Sequence, residues 1–217
     1  MLLIAVLPAA CQTHSPRRYS SNRIAEIQPQ RIAVMPFIKG LSDSRLNKPI
    51  KPPLYCPVAD LCFNVSDIQN NADERMTEYL QDALQQRYPG ALIPLPTVRQ
   101  TYAALPKNAA TDTPLSLAVA LGRKLGADHV MVGTVWRYQE LVGSGKAASR
   151  PASVAFSLYL LRVQSNEPIW EATFDKTQQP LSENLLNIKA FFKMGARWLT
   201  ADELARYGIN KVFETAP

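Results

Sequence analysis

The sequence predicts an α/β fold, a mixed β-sheet with packed helices, and three stretches carry the prediction. Residues 126–138, G-A-D-H-V-M-V-G-T-V-W-R-Y, leave a helix at Gly126 and pass through Val130-Met131-Val132, apolar at consecutive positions. A strand covered on both faces reads this way, whereas a strand with one wet face alternates. It is expected to be the central strand. Residues 153–163 do alternate: Val154, Phe156, Leu158 and Leu160 face one way, and Ser153, Ala155, Ser157 and Tyr159 the other. S-N-E-P then turns the chain into 169–176, where Trp170, Ala172 and Phe174 share a face, so the two form an antiparallel hairpin. Between the first strand and the central one, apolar residues recur at helical spacing. The order β-α-β-α-α-β-β-β-α-α puts helices on a mixed sheet.

Taken in order, residues 2–10, L-L-I-A-V-L-P-A-A, are apolar and end in small residues before Cys11. The segment is shorter than the roughly 20 residues a membrane span needs, and it reads as a secretory signal. It resembles the leader of a bacterial lipoprotein precursor, with Leu7-Pro8-Ala9-Ala10-Cys11 as its lipobox. That resemblance implies cleavage before Cys11, acylation of Cys11 (palmitate among the acyl chains) and, because Gln12 follows it, placement on the periplasmic face of the outer membrane. The organisation expected is a signal peptide over 1–10, a lipidated flexible tether over 11–30, and one α/β domain over 31–217 with a loop insertion at 38–67.

Residues 31–37, R-I-A-V-M-P-F, form the first strand, with Pro36 near its end. Residues 38–67 then show no convincing helix or strand, and a loop of that length in a compact domain is usually functional or disordered. Asn71 with Glu74 suggests a capping box, and Met76, Tyr79, Leu80, Ala83 and Leu84 form the stripe of the helix that follows. Pro89-Gly90 stops it. Residues 91–95 read as a short strand and 97–105 as a short helix. Thr113-Pro114 opens the next helix, since Pro at the first position loses no needed bond, and Gly126 ends it. Residues 141–151, rich in Gly, Ser and Ala, read as a flexible connection. At the end, Leu185, Ile188, Phe191 and Phe192 make one amphipathic helix. Thr200 with Glu203 caps another, which Gly208 is expected to break or kink.

The net charge of +6 lies wholly in residues 1–51, which hold eight basic and two acidic residues; the rest holds sixteen of each. A basic tether and a neutral body argue against nucleic acid, whose binders gather basic residues on a folded face. The tether suits either anionic lipid head groups or plain solvation. With Cys11 lipidated, Cys56 and Cys62 remain, an even pair in an exported chain, read as a disulfide or as two buried thiols. They are half of a zinc set, and His14 and His129 lie far off in sequence, so no metal is expected.

No catalytic residues and no cofactor are expected. No phosphate loop, G-x-S-x-G elbow or H-E-x-x-H occurs. His129 beside Asp128 could act as a base, but neighbours on a strand point to opposite faces. Asp73, Glu74, Glu78 and Asp82 alternate with Arg and Gln, as on a solvated helix face.

Three motifs together resemble a known family: I-A-V-M-P-F at 32–37, L-G-A-D-H-V-M-V-G-T-V at 125–135, and the hairpin 154–174 with V-x-x-x-x-P-I-W at its bend. They resemble the α/β domain shared by the curli-secretion lipoprotein CsgG, the lipoprotein activators of penicillin-binding proteins, and the N-terminal domain of TolB. The resemblance implies an envelope protein that binds other proteins or self-associates rather than a catalyst. A ligand-binding or catalytic periplasmic domain with 38–67 as its lid is the other reading. The candidate partner surface is Leu54, Tyr55, Val58, Leu61 and Phe63, five large apolar side chains in a loop with no obvious core to join. Folding back over the first strand is their alternative fate.

Overall fold

The computed structural model describes residues 28–40, 54–58, 61–64, 68–108, 112–143, 148–178 and 197–214. The strands are β1 (Ile32–Val34), β2 (Ile38–Lys39), β3 (Leu54–Val58), β4 (Leu61–Asn64), β5 (His129–Gln139), β6 (Val142–Gly143), β7 (Ala148–Arg150), β8 (Ser153–Arg162) and β9 (Glu167–Thr177). The helices are α1 (Ala72–Arg87), α2 (Leu95–Ala103), α3 (Pro114–Leu125) and α4 (Ala201–Glu214). A five-stranded sheet runs β1-β5-β8-β9, with β2 also on β5. As the consecutive apolar residues require, β5 is central, parallel to β1 and β2 on one side and antiparallel to β8 on the other.

Alternation in β8 and β9 sorts the sheet's two faces. Phe156, Leu158, Leu160, Trp170 and Phe174 join Met131 and Val135 against Leu80 and Leu84 of α1 and Leu204 and Ile209 of α4. Tyr159 and Leu161 join Val130 and Val132 against Val98 of α2 and Leu121 and Leu125 of α3. Two glycines set how closely elements approach. A Cβ on Gly133 would stand 2.3 Å from the Phe37 ring, and one on Gly122 would stand 2.5 Å from Val163. The former leaves room for the tip of the Phe37 ring against the central strand, and the latter lets α3 settle on the sheet.

Several expectations are corrected. Gly208 neither breaks nor kinks α4, which is continuous through it. A Cβ there would meet the Phe174 ring at 2.7 Å, so this glycine serves close packing of helix on sheet. Asn71 precedes α1, but at a φ of 65° its side chain makes no capping bond, and the box with Glu74 does not form. An N-cap acceptor normally sits in the extended region; here Ala72 N–H bonds the Gln69 carbonyl at 3.1 Å instead. The expected strand at 91–95 shrinks to one bridge between Ile32 and Leu92, because α2 begins at Leu95, with Pro96 in its first turn. The connection at 141–151 contains the pair β6–β7, too short to show in composition. The stretch 38–67 contains β2, β3 and β4. The expected helix around Leu185–Phe192 lies outside the described residues. Thr113 and Thr200 cap their helices as expected, Thr113 with Ser116 and Thr200 with Glu203.

Candidate functional site

The insertion leaves and rejoins the domain at one end of β5. Gly40 N–H bonds the Val135 carbonyl at 2.8 Å, and Gln69 N–H bonds the Tyr138 carbonyl at 3.1 Å. Between these stems, β3 and β4 pair antiparallel, Leu54 with Asn64, Tyr55 with Phe63 and Val58 with Leu61. The register shifts between Tyr55 and Val58, so Cys56-Pro57 on β3 stands against Cys62 on β4. Two residues against one is a β-bulge, and Pro57 supplies its cause, having no N–H for the ladder.

Directly opposed residues share a face of a two-stranded ribbon. The register therefore groups Tyr55, Val58, Leu61 and Phe63 at paired positions on one face, and puts Leu54 with Asn64 on the other. Four of the five candidate partner residues hold positions on that face of the backbone ladder, and Leu54 holds one on the other. Cys56 and Cys62 fall at facing positions across the bulge. Cys11 lies outside the described residues.

Beneath the returning stem lies a polar cluster. Ile68 bridges to Tyr138, and the Tyr138 hydroxyl donates to Asp202 in the first turn of α4. Arg75 of α1 donates to the same carboxylate oxygen at 2.8 Å. Tyr138 is fully buried, and burial, reinforced by the bond to Asp202, pushes its hydroxyl far above the ordinary tyrosine value. Burial would raise the Asp202 carboxyl, but the bonds from Tyr138 and Arg75 outweigh it and hold the group below the usual carboxylate range. Glu140 adds its Oε1, which accepts from Ala201 N–H at 2.9 Å. One cluster thus fastens α1, α4 and the end of β5. Sequence reading missed it, although a tyrosine in an apolar strand and the aspartate within the T-A-D-E cap were its visible signals.

His129 and Asp128 lie at the other end of β5. Asp128 precedes the strand, so strand alternation does not separate the two, and Nδ1 of His129 lies 3.3 Å from Oδ1 of Asp128. The Asp128 carboxylate also accepts the N–H groups of Gln30 at 2.8 Å and Arg31 at 2.9 Å. These bonds outweigh the upward pull of burial and keep the carboxyl below its ordinary range. His129 is buried, and neither ring nitrogen has a hydrogen-bond partner in satisfactory geometry. Asp128 staples the chain entering β1 to the start of β5. The four helix carboxylates behave as a solvated face, with Asp73 paired to Lys39, Glu78 to Arg99 and Asp82 to Arg206. Among the described residues no three His, Cys, Asp or Glu side chains gather to hold a metal, and no helix is long and apolar enough to cross a membrane.

No protein-family model matches the sequence, and no curated protein matches it. Among solved structures, the chain is similar to the PelC dodecamer from Paraburkholderia phytofirmans, at 13% identity over 92% of this chain and 94% of that one, with a TM-score of 0.48. It is similar to the lipoprotein GNA1162 from Neisseria meningitidis at 15% identity, over 77% and 97%, with a TM-score of 0.43. It is also similar to the C-terminal domain of LpoB from Salmonella enterica at 15% identity, over 70% and 86%, with a TM-score of 0.38. Likeness at these values assigns neither activity nor partner.

Proposed function

We propose that the chain is a non-catalytic, lipid-anchored component of the bacterial envelope that works by binding a protein partner or a second copy of itself through the β3–β4 hairpin. The observation that carries this reading is the register, which collects Tyr55, Val58, Leu61 and Phe63 on one face of a ribbon between two stems. Interfaces favour aromatic anchors near their centres, and Tyr55 and Phe63 form one cross-strand pair. Changing both to Ser is expected to abolish partner capture and self-association while leaving the melting temperature unchanged. A melting temperature several degrees lower, with capture retained, would make the hairpin core cover and sink the reading.

A Cys56–Cys62 disulfide belongs to this proposal. Locked across the bulge, it would lower the entropy lost when the ribbon binds. The intact protein is expected to weigh about 2 Da less before reduction than after it, because two thiols lose two hydrogens. Equal masses would refute the bridge. Lipidation of Cys11 is the other part: a fatty-acid analogue fed to cells is expected to label the wild type and not Cys11→Ser. Label in both would remove the anchor. Outer-membrane placement rests on Gln12, and fractionation of the envelope tests it.

A further inference from the structure

The end of the domain at which the chain from Cys11 enters is basic. Four elements meet there through backbone and side-chain bonds. Gln30 and Arg31, leading into β1, bond Asp128 at the start of β5. Val163 N–H, in the β8–β9 turn, bonds the Asp128 carbonyl at 3.0 Å. Arg123, in the last turn of α3, donates to Asn166 of that turn at 3.0 Å. His129 stands opposite Arg162 in the β5–β8 register.

These contacts bring Arg31, Arg123, Lys124 and Arg162 to one end, the first three exposed and Arg162 half-buried. Among the described ion pairs none includes any of the four. The acids at this end are Asp128, already engaged by two backbone N–H groups, and Glu167; Glu171 and Asp175 lie further along β9, opposite Tyr159 and Ala155. Arg123 and Lys124 also offset the dipole of α3. Arg31 and Arg162 sit at strand ends, where no helix dipole calls for a cation. At the opposite end the first turns of α1 and α4 are compensated, Asp73 by Lys39, Asp202 by Arg75 and Glu203 by Arg197. This end is therefore a basic pole, four cations outside the described ion pairs, where the N-terminal segment attaches. That segment adds Arg17, Arg18 and Arg23 against Glu26.

From these observations we infer that the basic pole is a membrane-facing surface that rests on anionic phospholipid head groups. The inference rests on the anchor reading for its geometry. The seventeen steps from Cys11 to Gln28 keep this pole within about 60 Å of the anchor whatever their conformation. A surface charge acts over a Debye length of about 8 Å, so the pole must touch the head groups rather than hover above them. Each basic residue near an anionic leaflet is worth about fivefold in partitioning. The same geometry turns the hairpin stems, at the other end of β5, away from the bilayer.

The test uses the chain from residue 11 onward with Cys11→Ser, so that no acyl chain contributes and the acylation experiment on Cys11 is judged separately. Vesicles of phosphatidylcholine alone are compared with vesicles containing phosphatidylglycerol, by co-sedimentation at low and high salt. Binding is expected only to the phosphatidylglycerol vesicles and is lost in high salt. Arg123→Glu with Lys124→Glu, both exposed, should weaken it about 25-fold or more, while the lost Asn166 bond and the reversed charges at the end of α3 lower the melting temperature by no more than a few degrees and leave the domain folded in the assay. Arg17, Arg18 and Arg23 changed to Gln gives the contribution of the N-terminal segment. Full binding by the Arg123→Glu/Lys124→Glu variant would show that the segment acts alone and overturn the inference. Equal binding to both vesicle types, or none to either, would overturn it too.

Discussion

Replacing Gly133 with Val is expected to lower the melting temperature by about 6–12 °C, the equivalent of roughly 3 kcal/mol in a chain of this size. Gly133 stands in the middle of β5, and any Cβ there would lie 2.3–2.6 Å from three carbons of the Phe37 ring. A ring can yield only if its backbone can retreat. Phe37 is buried, and its N–H donates to Thr77 Oγ1 of α1 at 2.9 Å; that hydroxyl donates onward to the Asp73 carbonyl at 2.6 Å. The ring is thus fixed from behind, and the cost falls on overpacking. A compensating pair separates this from a general dislike of side chains at the position. Phe37→Leu should destabilise alone, yet partly rescue Gly133→Ala, with a coupling of about 1 kcal/mol in the favourable direction. Thermal unfolding followed by circular dichroism decides the point. Losses that merely add would show that the Phe37 contact is not what keeps position 133 a glycine.

The same pair shows what a sequence yields and what it withholds. Val130-Met131-Val132 marked a strand buried on both faces, and the alternation in 153–163 marked the hairpin, because strand faces follow a period of two whatever their partners. The role of Gly133 was legible only as crowding, since the partner ring lies 96 residues away in the chain. Gly208 misled for a related reason. Local propensity marks glycine as a helix breaker, but Phe174, from another strand, needs the space. In the candidate site, the apolar residues and the cysteines were legible and the ribbon was not. Pro57 argues against a strand until the bulge it occupies is known. The Tyr138–Asp202–Arg75 cluster was illegible because its members come from three elements and meet only once the sheet and both helices are assembled.

That cluster is the subject of the second large effect. Asp202→Ala is expected to cost about 2–3 kcal/mol, or about 4–12 °C, chiefly because it strands the fully buried Tyr138 hydroxyl without an acceptor. The Arg75 pair adds little, since both side chains are about a third exposed, at 31% and 39%, and solvent screens them. Tyr138→Phe in the Asp202→Ala background should recover much of the loss, because no donor is then left unsatisfied. The pH dependence follows from the same carboxylates. Asp202 titrates below its ordinary value, and Glu203, bonded to Arg197 and capping Thr200, is drawn down to about 2. Carboxyls depressed in the folded state bind protons more readily in the unfolded chain. Their stabilisation is therefore complete above the unfolded values of about 4 and is lost as pH falls through the folded ones. The melting temperature should drop between about pH 5 and pH 2, with the slope flatter in Asp202→Asn combined with Glu203→Gln. Asp128, depressed for its own reasons, should keep that slope above zero. An acid slope identical in the variant and the wild type would mean that the carboxylates at the head of α4 do not govern acid stability.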